Sequence, residues 1–229
     1  MIVVENRRAS LYLLGGLLTL LVSPCIATVN QIEFNLGRGS PLSFIQAGGS
    51  SDRAGSRGTE WSADFLHQAN PRLYWGLGGG QFRSNDNVSQ TFVPNAISTL
   101  SARSSTILLL SRTDLSSGSK YVPYMIAGVG WTRHSMLIAA VPETSWADTG
   151  TSESRTLLEK SKDTLGYAYG LGLDYALTDA LIIGVEARYQ GSLKNTFDFS
   201  PAGVAITGQN NVQTSLNTFT ASVKVGFKY

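Results

Sequence analysis

The sequence predicts an all-β chain: an eight-stranded antiparallel up-and-down transmembrane β-barrel preceded by a signal peptide. Three observations predict it. Beyond the first 27 residues, apolar and polar side chains alternate with a period of two. Gly is abundant, at 24, while charged residues make up only 15%. The connections between alternating segments are short and long in turn. Successive side chains of a strand point to opposite faces, so period two describes two-faced strands. Membrane-spanning barrels join such strands by short periplasmic turns and longer extracellular loops.

The leading segment, residues 1–27, is set apart by its layout. Arg7 and Arg8 precede an uncharged run from Leu11 to Val22, followed by small residues Cys25 and Ala27 placed for cleavage before Thr28. This is the arrangement of a secretory signal, and the run is too short to span a bilayer. Cys25 would suit lipidation, but Pro24 stands where a small residue is expected. Residues 28–229 then form the barrel domain, without a cysteine and therefore without disulfides or a thiol site. A formal net charge of +2, with no block of Lys and Arg, gives no case for a nucleic-acid partner.

Residues 30–38 alternate Ile32, Phe34 and Leu36 with Gln31, Glu33 and Asn35. Next, "EWSADFLHQ" sets Trp61, Ala63 and Phe65 against Glu60, Ser62 and Asp64. After the turn "NP", "RLYWGLGGGQF" sets Leu73, Trp75 and Leu77 against Tyr74, Gly76 and Gly78. In 103–115 the run Leu108, Leu109, Leu110 leaves the register open, and the preferred register puts Arg112 on the polar face. The connection "SSGSK" leads to "YVPYMIAGVGWT", with Met125, Val129 and Trp131 opposite Ile126, Gly128 and Gly130. "TLGYAYGLGLDYAL" puts Tyr167, Tyr169 and Tyr175 opposite Gly170, Gly172 and Asp174, and turns at "TD" into "ALIIGVEARYQG". The last strand ends the chain, with Phe219, Val223, Val225, Phe227 and Tyr229 opposite Lys224 and Gly226. It is expected to hydrogen-bond the first strand and close the sheet. Residues 39–58, 84–102, 134–163 and 192–215, rich in Ser, Gly, Asn and Thr, are expected as long loops.

A soluble barrel would turn the apolar parity inward and the polar parity to water. Here the polar parity of neighbouring strands is largely Gly and Ala, a poor solvated exterior. The interior of eight strands is barely wide enough for side chains, so the bulky aromatics are assigned to the outside and small residues to the inside. Trp61, Tyr121, Trp131, Tyr175 and Tyr189 are placed for interfacial girdles. This orientation puts Glu33, Asp64, Arg112, Asp174, Glu186, Arg188 and Lys224 in the lumen, where opposite charges should pair. Two readings stay open: a plug that rearranges to gate a narrow ion path, and a salt-bridged core that only fills the barrel.

The stretches "YVPYMIAGVGW", "YGLGLDYALTDALIIGVEARY" and "SVKVGFKY" resemble the small eight-stranded outer-membrane barrels of the OmpA transmembrane-domain or OmpX type, also grouped as porin-like or opacity-type surface proteins. The resemblance implies an outer-membrane location, lipopolysaccharide and other outer-membrane lipid as surroundings, and a monomer. It also implies that Val225, Phe227 and Tyr229 form the label read by the outer-membrane insertion machinery. No domain follows Tyr229 in this sequence, so peptidoglycan anchoring is not expected. Function is expected to be structural or surface-interacting through the long loops, with a narrow passive pore as the alternative.

Enzymatic chemistry has little to build on. Some barrels of this kind modify lipid A, which would need a Ser activated by a His held by a carboxylate. The histidines are His67 and His134. The candidate set, His134, Ser135 and Glu143, would need a loop, because adjacent strand residues point apart. No metal site, cofactor or nucleotide loop is expected.

Overall fold

The computed structural model describes residues 29–42, 44–47, 50–53, 57–89, 96–142 and 153–229. The expected signal segment lies outside them. Twelve strands are present among them: β1 (Asn30–Pro41), β2 (Phe44–Ala47), β3 (Ser50–Arg53), β4 (Gly58–Asn70), β5 (Leu73–Ser89), β6 (Ala96–Asp114), β7 (Tyr121–Pro142), β8 (Arg155–Ala176), β9 (Leu181–Ser192), β10 (Asn195–Asp198), β11 (Asn211–Thr214) and β12 (Thr218–Lys228). One short helix, α1 (Pro201–Thr207), lies between β10 and β11.

Eight strands close into a ring in the order β1-β12-β9-β8-β7-β6-β5-β4, with every neighbouring pair antiparallel. The seam runs from Gln31 opposite Lys228 to Pro41 opposite Thr218. At its lower end Asn30 and Tyr229 exchange both backbone hydrogen bonds, at 2.9 and 3.0 Å. Closure leaves no unpaired edge in this ring, which is what a hydrocarbon solvent demands.

The two faces differ as the alternation requires. Leu36, Ile107, Trp131 and Val223 are all more than 60% exposed, whereas Glu33, Asp64 and Lys224 are at most 2% exposed. An apolar belt of this kind is stable only against lipid, since charged groups on that face would cost about 2–4 kcal/mol each at the bilayer midplane. At the periplasmic rim the rings of Tyr121 and Tyr175 lie 5.0 Å apart; higher up, Tyr169 stacks on Tyr189 at 4.9 Å.

The interior is not reserved for small residues. Tyr74, Tyr124, Leu66, Leu108, Leu110 and Ile126 all pack inside the barrel. Cross-strand glycines make the room: Leu110 is flanked by Gly76 and Gly128, and Leu108 by Gly78 and Gly130. The run of three leucines therefore splits, with Leu108 and Leu110 inside and Leu109 outside. Tyr124 lies over Gly172, where a Cβ would collide with its ring.

The expected long loops are largely folded. β7 and β8 are each 22 residues long, about twice the roughly 9–11 that cross a bilayer. With β6 they rise well above the apolar belt. Inside this extension Leu100, Met136, Ile138, Leu158, Phe197 and Val212 belong to a second apolar core. Its lid comes from the segments between strands: β10, β11, β2 and β3 form a separate sheet in that order. Ser200 caps α1, its Oγ accepting from the Gly203 backbone N–H at 3.0 Å, and Gly208 ends it in the left-handed region at φ 68°. The Ser200 N–H donates to the Leu157 carbonyl at 3.0 Å, which ties the cap to β8.

Candidate functional site

The alternation places seven charged residues on inward positions of β1, β4, β6, β8, β9 and β12, and the closed ring brings them to the membrane-level lumen. They form two tiers. In the lower one, Arg112 donates to Asp114 at 2.8 Å, to Asp174 at 2.6 Å and to Glu33. Lys224 lies 2.9 Å from Glu33 and 2.7 Å from Asp174, so the two cations share two carboxylates. Gln31 donates to Glu33 as well. In the upper tier, Arg188 donates to Asp64 at 2.6 Å and to Glu186 at 2.5 Å. Asn35 adds a hydrogen bond to Asp64 at 3.4 Å.

Tyr124 links the tiers. Its hydroxyl donates to Glu186 at 2.8 Å, while its ring receives the Arg112 guanidinium at 3.9 Å and the Lys224 ammonium at 4.0 Å from the centroid. Cations over an aromatic face gain from the ring quadrupole, most where water is excluded. Gly184 provides the space beneath, since a Cβ there would meet the Asp174 carboxylate and the Lys224 stem.

Buried ion pairs are costly to desolvate, and many contribute little net stability. What they add here is register. A slip of one residue turns a strand inside out and would carry Arg112 or Lys224 into hydrocarbon. The charges thus fix which face is inside. Asp114, Tyr74 and Tyr124 join the cluster without having been singled out from sequence. Asp114 shares the parity of Arg112, and Tyr124 that of Ile126, so alternation alone points to both.

Above the ion pairs the lumen stays filled. Gln190 donates to Glu60 at 2.7 Å, and His134 Nε2 lies 2.8 Å from the Ser192 hydroxyl. Near Arg188, between Ser62, Gly80 and Thr106, is a void of about 10 Å³, room for about one water. The candidate His134–Ser135–Glu143 set is not assembled. His134 is buried within the barrel, and Ser135 is on the opposite face with its hydroxyl 2.8 Å from that of Ser161. Both lie in β7 instead of a loop, and Glu143 is outside the described residues. His67 contacts Asn30 at 2.8 Å. Among the described residues no cluster of His, Cys, Asp and Glu is arranged to hold a metal.

No protein-family model matches the chain, and no curated protein matches it. Among solved structures it is similar to the outer membrane protein OprG from Pseudomonas aeruginosa, with 15% identity, 89% of this chain and 96% of that chain covered, and a TM-score of 0.58. Neisserial surface protein A is also similar, with 12% identity, 90% and 100% coverage and a TM-score of 0.42. So is Ail, the attachment invasion locus protein of Yersinia pestis, with 14% identity, 87% and 99% coverage and a TM-score of 0.41. Likeness at this identity concerns the fold. With a ring of eight antiparallel strands and an exterior that only lipid can solvate, the chain has the fold of a small eight-stranded outer-membrane β-barrel.

Proposed function

We propose that this chain is a sealed barrel that acts through its extracellular extension, as a structural and surface-interaction protein. The observation that carries the reading is the double filling of its interior: two tiers of ion pairs at membrane level and an apolar core above them. A tube blocked at both levels does not serve a path, whereas a folded cap presents a fixed surface. Lys194, Asp198, Asn211 and Gln213 are exposed on that cap. Val225, Phe227 and Tyr229, outward on the closing strand, would serve as the label for the insertion machinery.

Planar-bilayer recording tests the seal: wild-type protein should give no conductance steps, and reproducible steps would overturn it. Adhesion tests the surface role. Cells displaying a variant with Lys194, Asp198, Asn211 and Gln213 all changed to Ala should bind an epithelial monolayer less than cells displaying wild type, and equal binding would count against it.

A second reading, a narrow cation path, is favoured by one feature. The tiers hold five carboxylates, Glu33, Asp64, Asp114, Asp174 and Glu186, against three cations, Arg112, Arg188 and Lys224. Steps that are cation-selective and vanish when Glu186 and Arg188 are neutralised would select it.

A further inference from the structure

The exterior turns basic above the apolar belt. On β1 the outward file passes from Leu36 to Arg38, on β5 from Gln81 to Arg83, on β6 from Ser105 to Arg103, and on β7 from Trp131 to Arg133; all four arginines are exposed. Three of them lie in one continuous ladder row. Arg38 is opposite Thr59, Thr59 is opposite Arg83, and Arg83 is directly opposite Arg103. At about 4.8 Å between strands the row spans about 15 Å.

Like charges directly opposite in a ladder repel. Every lumen cation described above has carboxylates in contact, and Arg133 on the exterior has Asp163 at 2.9 and 3.2 Å. Among the described residues, none supplies a carboxylate to Arg38, Arg83 or Arg103. These three stand just above Trp61 and Trp131, where headgroups of the outer leaflet lie. Guanidinium forks match phosphate oxygens in geometry and charge.

The same row continues across the seam to Ala221 and Ala187. Their small side chains leave a groove of about 850 Å³ on the outer face, walled by Leu36, Leu171, Val185 and Val223, with Arg38 in its uppermost row. We propose that Arg38, Arg83 and Arg103 bind the phosphate groups of an outer-leaflet lipid, one of whose acyl chains lies in the groove beside Arg38. This site goes beyond the surface-interaction reading and stands whether or not the lumen conducts.

Native mass spectrometry of the folded full chain tests it, with three probes: bis-phosphorylated lipid A, the same lipid enzymatically dephosphorylated, and inorganic phosphate. Bis-phosphorylated lipid A should be retained on wild type and lost by about tenfold in an R38Q/R83Q/R103Q variant. Dephosphorylation of the lipid should produce the same loss on wild type, which keeps the test independent of how the variant folds. Millimolar inorganic phosphate should leave the lipid in place. Ala221→Phe, filling the groove, should also weaken retention. Equal retention of the dephosphorylated lipid, or by the triple variant, would overturn the phosphate site. Displacement by inorganic phosphate, or no effect of Ala221→Phe, would overturn the seating of a lipid.

Discussion

Along one set of strands, this barrel is filled in two different ways. From the periplasmic turns up to Trp131 the interior holds paired charges beside a small apolar cluster of Leu66, Leu108, Leu110 and Ile126, and the exterior is apolar. Above Arg133 the interior holds Met136, Ile138, Leu158 and Phe197, as a water-soluble protein would. The change follows the solvent. In lipid, apolar groups gain nothing by turning inward, so sidedness is set by which groups cannot face hydrocarbon. In water, burial of apolar surface is itself the driving force, at about 25 cal/mol per Å². Each region should therefore fail under a different substitution.

The largest effect is expected in the lower region. Arg112→Leu leaves Asp114 without its ion-pair partner and Glu33 and Asp174 with Lys224 alone, and should cost about 3–5 kcal/mol, read as a lower urea midpoint for loss of the heat-dependent gel mobility. A midpoint unchanged from wild type would mean the pairs are not buried. Phe197→Ala should cost about 3 kcal/mol, but only in the upper region: the cap becomes protease-sensitive while the barrel keeps its gel mobility. Loss of both together would mean that the two cores are one cooperative unit.

Finer changes sharpen the contrast. Gly172→Ala presses a Cβ against the Tyr124 ring and should cost the barrel about 1–3 kcal/mol, read as a lower urea midpoint, leaving cap proteolysis as in wild type. The exposed pair Arg133–Asp163, at the boundary between the regions, should matter least: Arg133→Ala should cost below about 1 kcal/mol, within error of the same urea titration.

How much of this the sequence carried differs between the same two regions. At membrane level, period two outlined the eight ring strands and set Glu33, Asp64, Asp174, Glu186, Arg188 and Lys224 on one parity, because lipid enforces strict alternation, while the leucine run left the side of Arg112 open and Asp114 was not named. The rule of bulky aromatics outside and small residues inside fails at Tyr74 and Tyr124, although parity set Tyr74 with Gly76 and Gly78, since a volume rule applied strand by strand overlooks glycines supplied by neighbours across the ladder. In the extension, stretches such as Ser101 to Thr106 carry small polar residues on both faces, so alternation fades while the strands continue. The pairing of β11 with β2 joins segments far apart in sequence, which no local pattern reveals. The helix falls inside the expected 192–215 loop and was not read from the sequence, although Ser200 and Pro201 at its start and Gly208 at its end are ordinary start and stop residues.

The sidedness of the barrel is tested most directly at the leucine run Leu108, Leu109, Leu110. Spin labels attached to Leu109→Cys and Leu110→Cys, one at a time, can be compared in bilayers for collisions with dissolved oxygen and with a water-soluble nickel chelate. The predicted result is strong oxygen collision and little chelate at 109, with little of either at 110. Chelate access at 109 together with oxygen access at 110 would contradict it.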